Sequence, residues 1–240
     1  MSKYPANYLN IEQHSAAWYD ARLGHVTASR VAEVISSKKN GEPRKAREDY
    51  KMELLIETLT GRPAEHYVSP AMDWGIETEK LAREEYKMAK GVEIDRIGYV
   101  LHPRIKRSGA SPDGLIGEHT LVEFKCPTTQ THMLYVIHDV VPDEYMPQMM
   151  WQMACTGRAY CDFVSYDPRV PDDFSLFIKR VARDDSYIAQ MERKVEEFII
   201  ELNDMCQRLM DLRNGSSGLE HDLRRSLQPG PGPEPAEIPV

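Results

Sequence analysis

The sequence predicts a mixed α/β fold, with a mixed sheet flanked by helices. Short segments rich in β-branched and aromatic residues, bounded by turn formers, read as strands. Longer segments carry apolar residues at helical spacing, most clearly over residues 186–213. A hydrophobic fraction of 41% with 28% charged residues describes a globular chain, and 240 residues suffice to bury a sizeable core.

Helices are predicted over residues 27–36, 48–60 and 74–90, the last stopping before Gly91. Strands are predicted over 94–101, 121–125, 162–166 and 176–182. A helix over 142–156 has Pro147 near its first turn and Gly157 at its end. The helix over 186–213 places Ile188, Met191, Val195, Phe198, Ile199, Leu202, Met205, Cys206, Leu209 and Leu212 on one face. Such a stripe suits core or subunit packing better than a cofactor. From Asn214 the composition turns to Gly, Pro and Ser with no periodic apolar face. Residues 214–240 are therefore expected to be a disordered tail or a cloning scar, which leaves 1–213 as a single domain.

Lysine and arginine total 30 against 38 acids, a formal charge of −8. That balance excludes a protein that coats nucleic acid by neutralising phosphates everywhere, but not an enzyme with a local basic site. Cys126, Cys155, Cys161 and Cys206 form no CxxC pair, and no histidines stand at zinc-finger spacing. Reduced, mostly buried thiols are expected. The first residues lack an apolar signal region and no apolar run reaches membrane-spanning length, so a cytoplasmic protein without a membrane partner is expected.

The chemistry concentrates in residues 108–127, SGASPDGLIGEHTLVEFKCP. Asp113 sits at a bend between Pro112 and Gly114. Gly117, Glu118 and His119 form a second turn before the strand LVEFK, so a hairpin can return Glu123 to the neighbourhood of Asp113. Within that strand Glu123 and Lys125 share a face while Phe124 points to the other. Two carboxylates and an ammonium suit metal-assisted phosphodiester hydrolysis, with Mg²⁺ on carboxylates and on a backbone carbonyl such as that of Phe124. Lys125 either orients or deprotonates the attacking water, or stabilises the pentacovalent oxygens. The bland alternative is a hairpin with solvated charges.

Neighbouring residues add to the set. Glu79, in the helix opened by WGIETE, is a candidate third acid or a solvated helical face residue. Arg22 and the helix start at Thr27 and Ser29 offer a cation and hydroxyl donors for a terminal phosphate, or a simple N-cap. Gln148 lies in the predicted 142–156 helix. Arg44, Lys45 and Arg47 form either a basic arm touching DNA phosphates or part of a solvated loop over 37–47.

Together these pieces resemble the phage lambda-type exonuclease family of viral recombination nucleases, which has the restriction-endonuclease-like PD-(D/E)XK fold. The resemblance is carried by WYDARLGHVTAS (18–29), WGIETE (74–79), SPDGL (111–115), VEFKCP (122–127), YMPQMMWQM (145–153) and SYDPR (165–169), in the family's order. It implies a nuclease domain over 1–213 and a Mg²⁺-dependent enzyme, with two ions and Mn²⁺ as a substitute. Such an enzyme digests one strand of linear double-stranded DNA from 5′ to 3′. It prefers 5′-phosphorylated ends, releases mononucleotides and leaves a 3′ single-stranded tail.

By the same resemblance Asp113, Glu123 and the Phe124 carbonyl are the metal ligands, Lys125 is the catalytic lysine and Glu79 is the acid near the second ion. Arg22, Ser29, Ser111 and Gln148 map onto the 5′-phosphate pocket. A ring-shaped homotrimer, a single-strand annealing partner and a bacterial host cytoplasm are also implied. An endonuclease of the same fold and a catalytically silent DNA-end-binding recombination module are the competing readings. Three mutually expensive charges kept together argue against the second.

Overall fold

The computed structural model describes residues 4–63 and 70–226. Two mixed, four-stranded sheets organise it. The first contains β1 (Tyr8–Leu9), β2 (Val26–Thr27), β3 (Tyr99–Leu101) and β4 (Ser108–Ala110), in the order β1-β3-β4-β2. Only its β2–β4 pair is parallel. The second contains β5 (Gly114–Ile116), β6 (Thr120–Lys125), β7 (Tyr160–Tyr166) and β8 (Leu176–Ala182), in sequential order. Here β6 and β7 run parallel while the outer pairs are antiparallel. A parallel pair needs a long crossover. It is supplied by α5 (Thr129–His138) and α6 (Met146–Thr156).

The remaining helices are α1 (Ala16–Arg22), α2 (Val31–Ile35), α3 (Lys45–Thr60), α4 (Pro70–Lys90), the single turn α7 (Asp172–Ser175) and α8 (Asp185–Ser226). Helix ends follow local chemistry. Gly61, Gly91 and Gly157 adopt φ values of 64°, 64° and 72° just after α3, α4 and α6, where a left-handed residue closes the helix. Pro147 sits in the first turn of α6, where its missing N–H breaks no helical bond.

Alternation along β6 and β7 divides two cores. Val122, Phe124, Val164 and Tyr166 pack with Ala82 and Tyr86 of α4. Leu121, Cys161 and Phe163 join the main cluster with Met149 and Met153 of α6 and Val195, Phe198 and Leu202 of α8. Both faces are covered, which is why these strands read as nearly continuous apolar runs. Glu123 points to the α6 side of this sheet, and its burial is the price of that position.

Several elements depart from the sequence pattern. The helix expected over 27–36 is split: Thr27 ends β2, Ala28–Arg30 forms a 3-10 turn, and α2 covers only Val31–Ile35. Pairing of Val26 and Thr27 with Ser108 and Gly109 overrides helix propensity there. The strand expected over 94–101 narrows to β3, with Asp95 making one isolated bridge to Leu115. At Gly98 the Ile11 carbonyl oxygen lies 2.1 Å from where a Cβ would be, so the N-terminal segment crosses the backbone too closely for a regular ladder. Helix α8 continues to Ser226, beyond Arg213 and into the expected tail, because extending a formed helix is far cheaper than nucleating one. Residues 227–240 lie outside the described residues.

Packing of α3 against α8 corrects one expected DNA contact. Arg47 is buried, its Nη2 2.8 Å from Glu201 Oε1, and Lys51 Nζ stands 2.6 Å from Glu201 Oε2. Its charge is committed inside the protein, not offered to phosphates. Hydrogen bonds from Arg47, against the opposing effect of burial and with help from Lys51, hold the Glu201 carboxyl at about 2 instead of 4.5. A depressed folded-state value stabilises above pH 4.5 and is lost as pH falls through about 2. Glu201→Gln is therefore expected to flatten the fall in the urea midpoint across that window. Parallel falls in variant and wild type would show that the clamp contributes nothing.

Candidate active site

Asp113 stands in the short link between β4 and β5, where one sheet gives way to the other. Around it opens a cleft of about 520 Å³ lined by Glu79, Asp113, Glu123, Phe124, Lys125 and Gln148, and also by Arg22, Ser29 and Ser111. The nine catalytic, metal and phosphate candidates thus meet in one hollow, with Thr27 beside them. Arg44 and Lys45 do not line it. Arg44 Nε donates to the Ser37 carbonyl at 3.1 Å, and Lys45 Nζ pairs with Asp49 at 2.7 Å.

One half of the cleft is acidic. The Phe124 N–H donates to Asp113 Oδ2 at 2.7 Å, so the hairpin brings the two carboxylate-bearing segments together as its turn predicts. Glu123 is 2% exposed and accepts three side-chain hydrogen bonds. Lys125 Nζ and Gln148 Nε2 reach Oε1 at 2.5 and 2.6 Å, and Gln152 Nε2 reaches Oε2 at 2.6 Å. Burial, reinforced by the Glu123 and Glu79 carboxylates, pushes the Asp113 carboxyl well above its ordinary range. Burial also raises Glu79, against the Arg83 guanidinium 2.5 Å away. For Lys125, burial disfavours the charge, but Glu123 and Asp113 outweigh it and hold the ammonium above its usual value.

The donor set fits a hard cation. Crowded carboxylates that resist ionisation are what a bound cation would relieve, and their donors are all oxygen. Among the described residues no three His, Cys, Asp or Glu side chains stand close enough to cage an ion unaided. Mg²⁺ does not need such a cage, since it keeps several waters and takes only one or two protein carboxylates.

The other half suits an anion. Arg22 Nη1 donates to Ser111 Oγ at 3.0 Å, and the Trp18 indole N–H donates to the same oxygen at 2.9 Å. The Arg22 guanidinium lies 3.8 Å from the centre of the Trp18 ring. Burial lowers the pKa of Arg22, the mark of a cation short of solvation. Ser29 is exposed at the cleft, its hydroxyl 3.4 Å from that of Thr27. Gln148, expected among the phosphate ligands, lines the cleft together with Arg22 and Ser111, and its side chain bonds Glu123 and Lys125, the latter at 3.2 Å.

Three site residues carry no role in the sequence reading: Arg83, and Gln152 and Trp18 within the quoted motifs. Arg83 donates to both Glu79 and the Asp113 carbonyl, locking α4 to the β4–β5 link. Each of the three lies four positions from a residue that was singled out, Glu79, Gln148 or Arg22, and so one helical turn away on the same face. That spacing is the signal by which they could have been found.

Residues 17–159 match the family model described as the YqaJ-like viral recombinase domain. The chain belongs to this family. The YqaJ-like chain is similar to LHK-Exo, an alkaline exonuclease from Laribacter hongkongensis, at 42% identity and a TM-score of 0.77, covering 85% of this chain and 100% of that one. The LHK-Exo structure in complex with dAMP matches at 41% identity and a TM-score of 0.78, with the same coverage. A phage-related exonuclease from Haemophilus somnus shares the fold at 14% identity, with a TM-score of 0.59, 77% of this chain and 96% of that chain covered. No curated protein matches the chain. The YqaJ-like chain is thus a lambda-exonuclease-type protein with the PD-(D/E)XK fold, and its role is that of a phage-type exonuclease. No helix among the described residues is long and apolar enough to cross a membrane.

Proposed function

We propose that this chain is a Mg²⁺-dependent exonuclease that resects linear double-stranded DNA from 5′ to 3′. It starts at 5′-phosphorylated ends, releases mononucleotides and leaves a 3′ single-stranded tail for recombination. The observation that carries this reading is the division of a single cleft. Asp113, Glu123 and Lys125 stand on one side, and a half-buried Arg22 with Ser111 on the other. An end-phosphate held on the Arg22 side sets which phosphodiester reaches the acidic side, and each cut creates the next end. The dAMP complex of LHK-Exo supports a mononucleotide product.

Asp113, Glu123 and the Phe124 carbonyl would hold one ion, with Glu79 near a second. When bound, Mg²⁺, or Mn²⁺ in its place, polarises the phosphodiester and lowers the pKa of the attacking water. Gln148 and Gln152 fix the Glu123 carboxylate so that its orientation needs no reorganisation during reaction. Lys125, anchored on Glu123, brings a positive charge to the oxygens on which negative charge builds. Arg83 holds the carbonyl of Asp113 and so sets the bend that aims its carboxylate.

A ring-shaped homotrimer in the bacterial cytoplasm, working with a single-strand annealing protein, completes the reading. Enclosing the duplex removes the need for a basic surface, which accords with a net charge of −8. The decisive measurement is a time course with Mg²⁺ on 5′-phosphorylated, 5′-hydroxyl and covalently closed circular duplex, with the oligomer's mass recorded alongside. Acid-soluble nucleotide is expected from linear DNA alone, fastest from phosphorylated ends. Cleavage of the circle would make the protein an endonuclease, and no release from any substrate would make it an end-binding module.

A further inference from the structure

His14 lines the same cleft beside Arg22, Ser111 and Glu79, on the turn that precedes α1. Its backbone has φ 66°, in the left-handed region. The Ser15 N–H donates to the Glu12 carbonyl at 3.2 Å, so His14 is the third residue of a four-residue turn. With positive φ, that position favours Gly or Asn. Histidine, like asparagine, enters this region more readily than most residues, but glycine does so without steric cost.

Packing gives little reason for the choice. The ring is exposed, and it leans on Trp18 with centroids 5.1 Å apart and planes at 45°. Among the described residues no protein hydrogen bond holds it. The turn itself is rigidly placed. Gln13 Nε2 donates to the Ile97 and Pro112 carbonyls at 2.9 and 3.0 Å, and Ser15 caps α1 by accepting from the Trp18 N–H. An unbonded imidazole at a left-handed position on a fixed turn, in contact with the indole that also holds Ser111 and Arg22, is a group placed for a ligand.

We propose that His14 donates a ring N–H to the 5′-terminal phosphate of the bound strand, beside Arg22 and Ser111, and so helps select phosphorylated ends. This rests on the exonuclease reading. The test compares wild type with His14→Gly, His14→Asn and Arg22→Met on 5′-phosphorylated and 5′-hydroxyl duplex, together with thermal midpoints. Glycine relieves the turn, so His14→Gly is expected to melt no lower than wild type. Its kcat/KM ratio for phosphorylated over hydroxyl ends is expected to fall about tenfold, the loss of one charge-assisted hydrogen bond. Asparagine tolerates the same φ and keeps an N–H donor, so it should recover part of that ratio.

An unaltered ratio in His14→Gly, alongside a collapse in Arg22→Met, overturns the role of His14 and leaves the exonuclease reading standing. A lowered melting point with both kinds of end impaired equally also overturns it, as a structural role would behave so. If wild type shows no preference between ends, the underlying phosphate pocket fails and the proposal with it.

Discussion

A Lys125→Met protein is expected to turn over linear duplex about 10³-fold more slowly than wild type at saturating Mg²⁺, with its fold retained. Among the described residues the ammonium is the only positive side chain bonded to Glu123, and burial has not neutralised it, because the neighbouring carboxylates hold its proton. Methionine fills the same space without the charge. Glu123 then keeps its hydrogen bonds from Gln148 and Gln152, so the buried carboxylate is not left unpartnered. Single-turnover rates and circular dichroism melts check the result. Digestion by the purified variant within about tenfold of wild type would remove Lys125 from the chemistry.

Arg22→Met is expected to have its effect on choice of substrate. Losing a charge-assisted phosphate contact is worth about 2–3 kcal/mol, or about 30- to 150-fold in the ratio of kcat/KM for 5′-phosphorylated over 5′-hydroxyl ends. Without DNA the same change should not lower the thermal midpoint. Arg22 sits desolvated against Trp18 with a hydroxyl as its hydrogen-bond partner, and removing such a charge from the free protein is close to neutral or stabilising. A variant that melts well below wild type and cuts both kinds of end with an unchanged ratio would assign Arg22 to the core.

Much of this site is legible in the chain because its parts are local. Asp113, Glu123 and Lys125 belong to one hairpin, whose turn and strand alternation bring them together, and Arg83 of α4 then fixes the Asp113 bend. Strand β8 and most of β6, β7 and α4 are read correctly for a similar reason: their apolar periods are strong and their glycine stops are local. What eludes the pattern is set from far away. Val26 and Thr27 become a strand because β4 lies beside them. Arg47 leaves the candidate DNA surface because Glu201, 154 positions along the chain, takes its charge. Gln148 meets Glu123 because α6 packs over β6 and brings its amide onto that carboxylate.

The sequence by itself determined the nuclease hairpin, the acidic balance that rules out a coating protein, and the alternation of strands and helices. Hydrophobic period, turn chemistry and charge type are properties of neighbouring residues, so a linear reading suffices. Only the tertiary structure decided which cations are taken up by ion pairs within the protein. An arginine's role depends on what fills the space around it: a carboxylate for Arg47, a tryptophan and a serine hydroxyl for Arg22. It also revealed His14, an ordinary histidine in the sequence, at a left-handed position on a turn that lines the cleft.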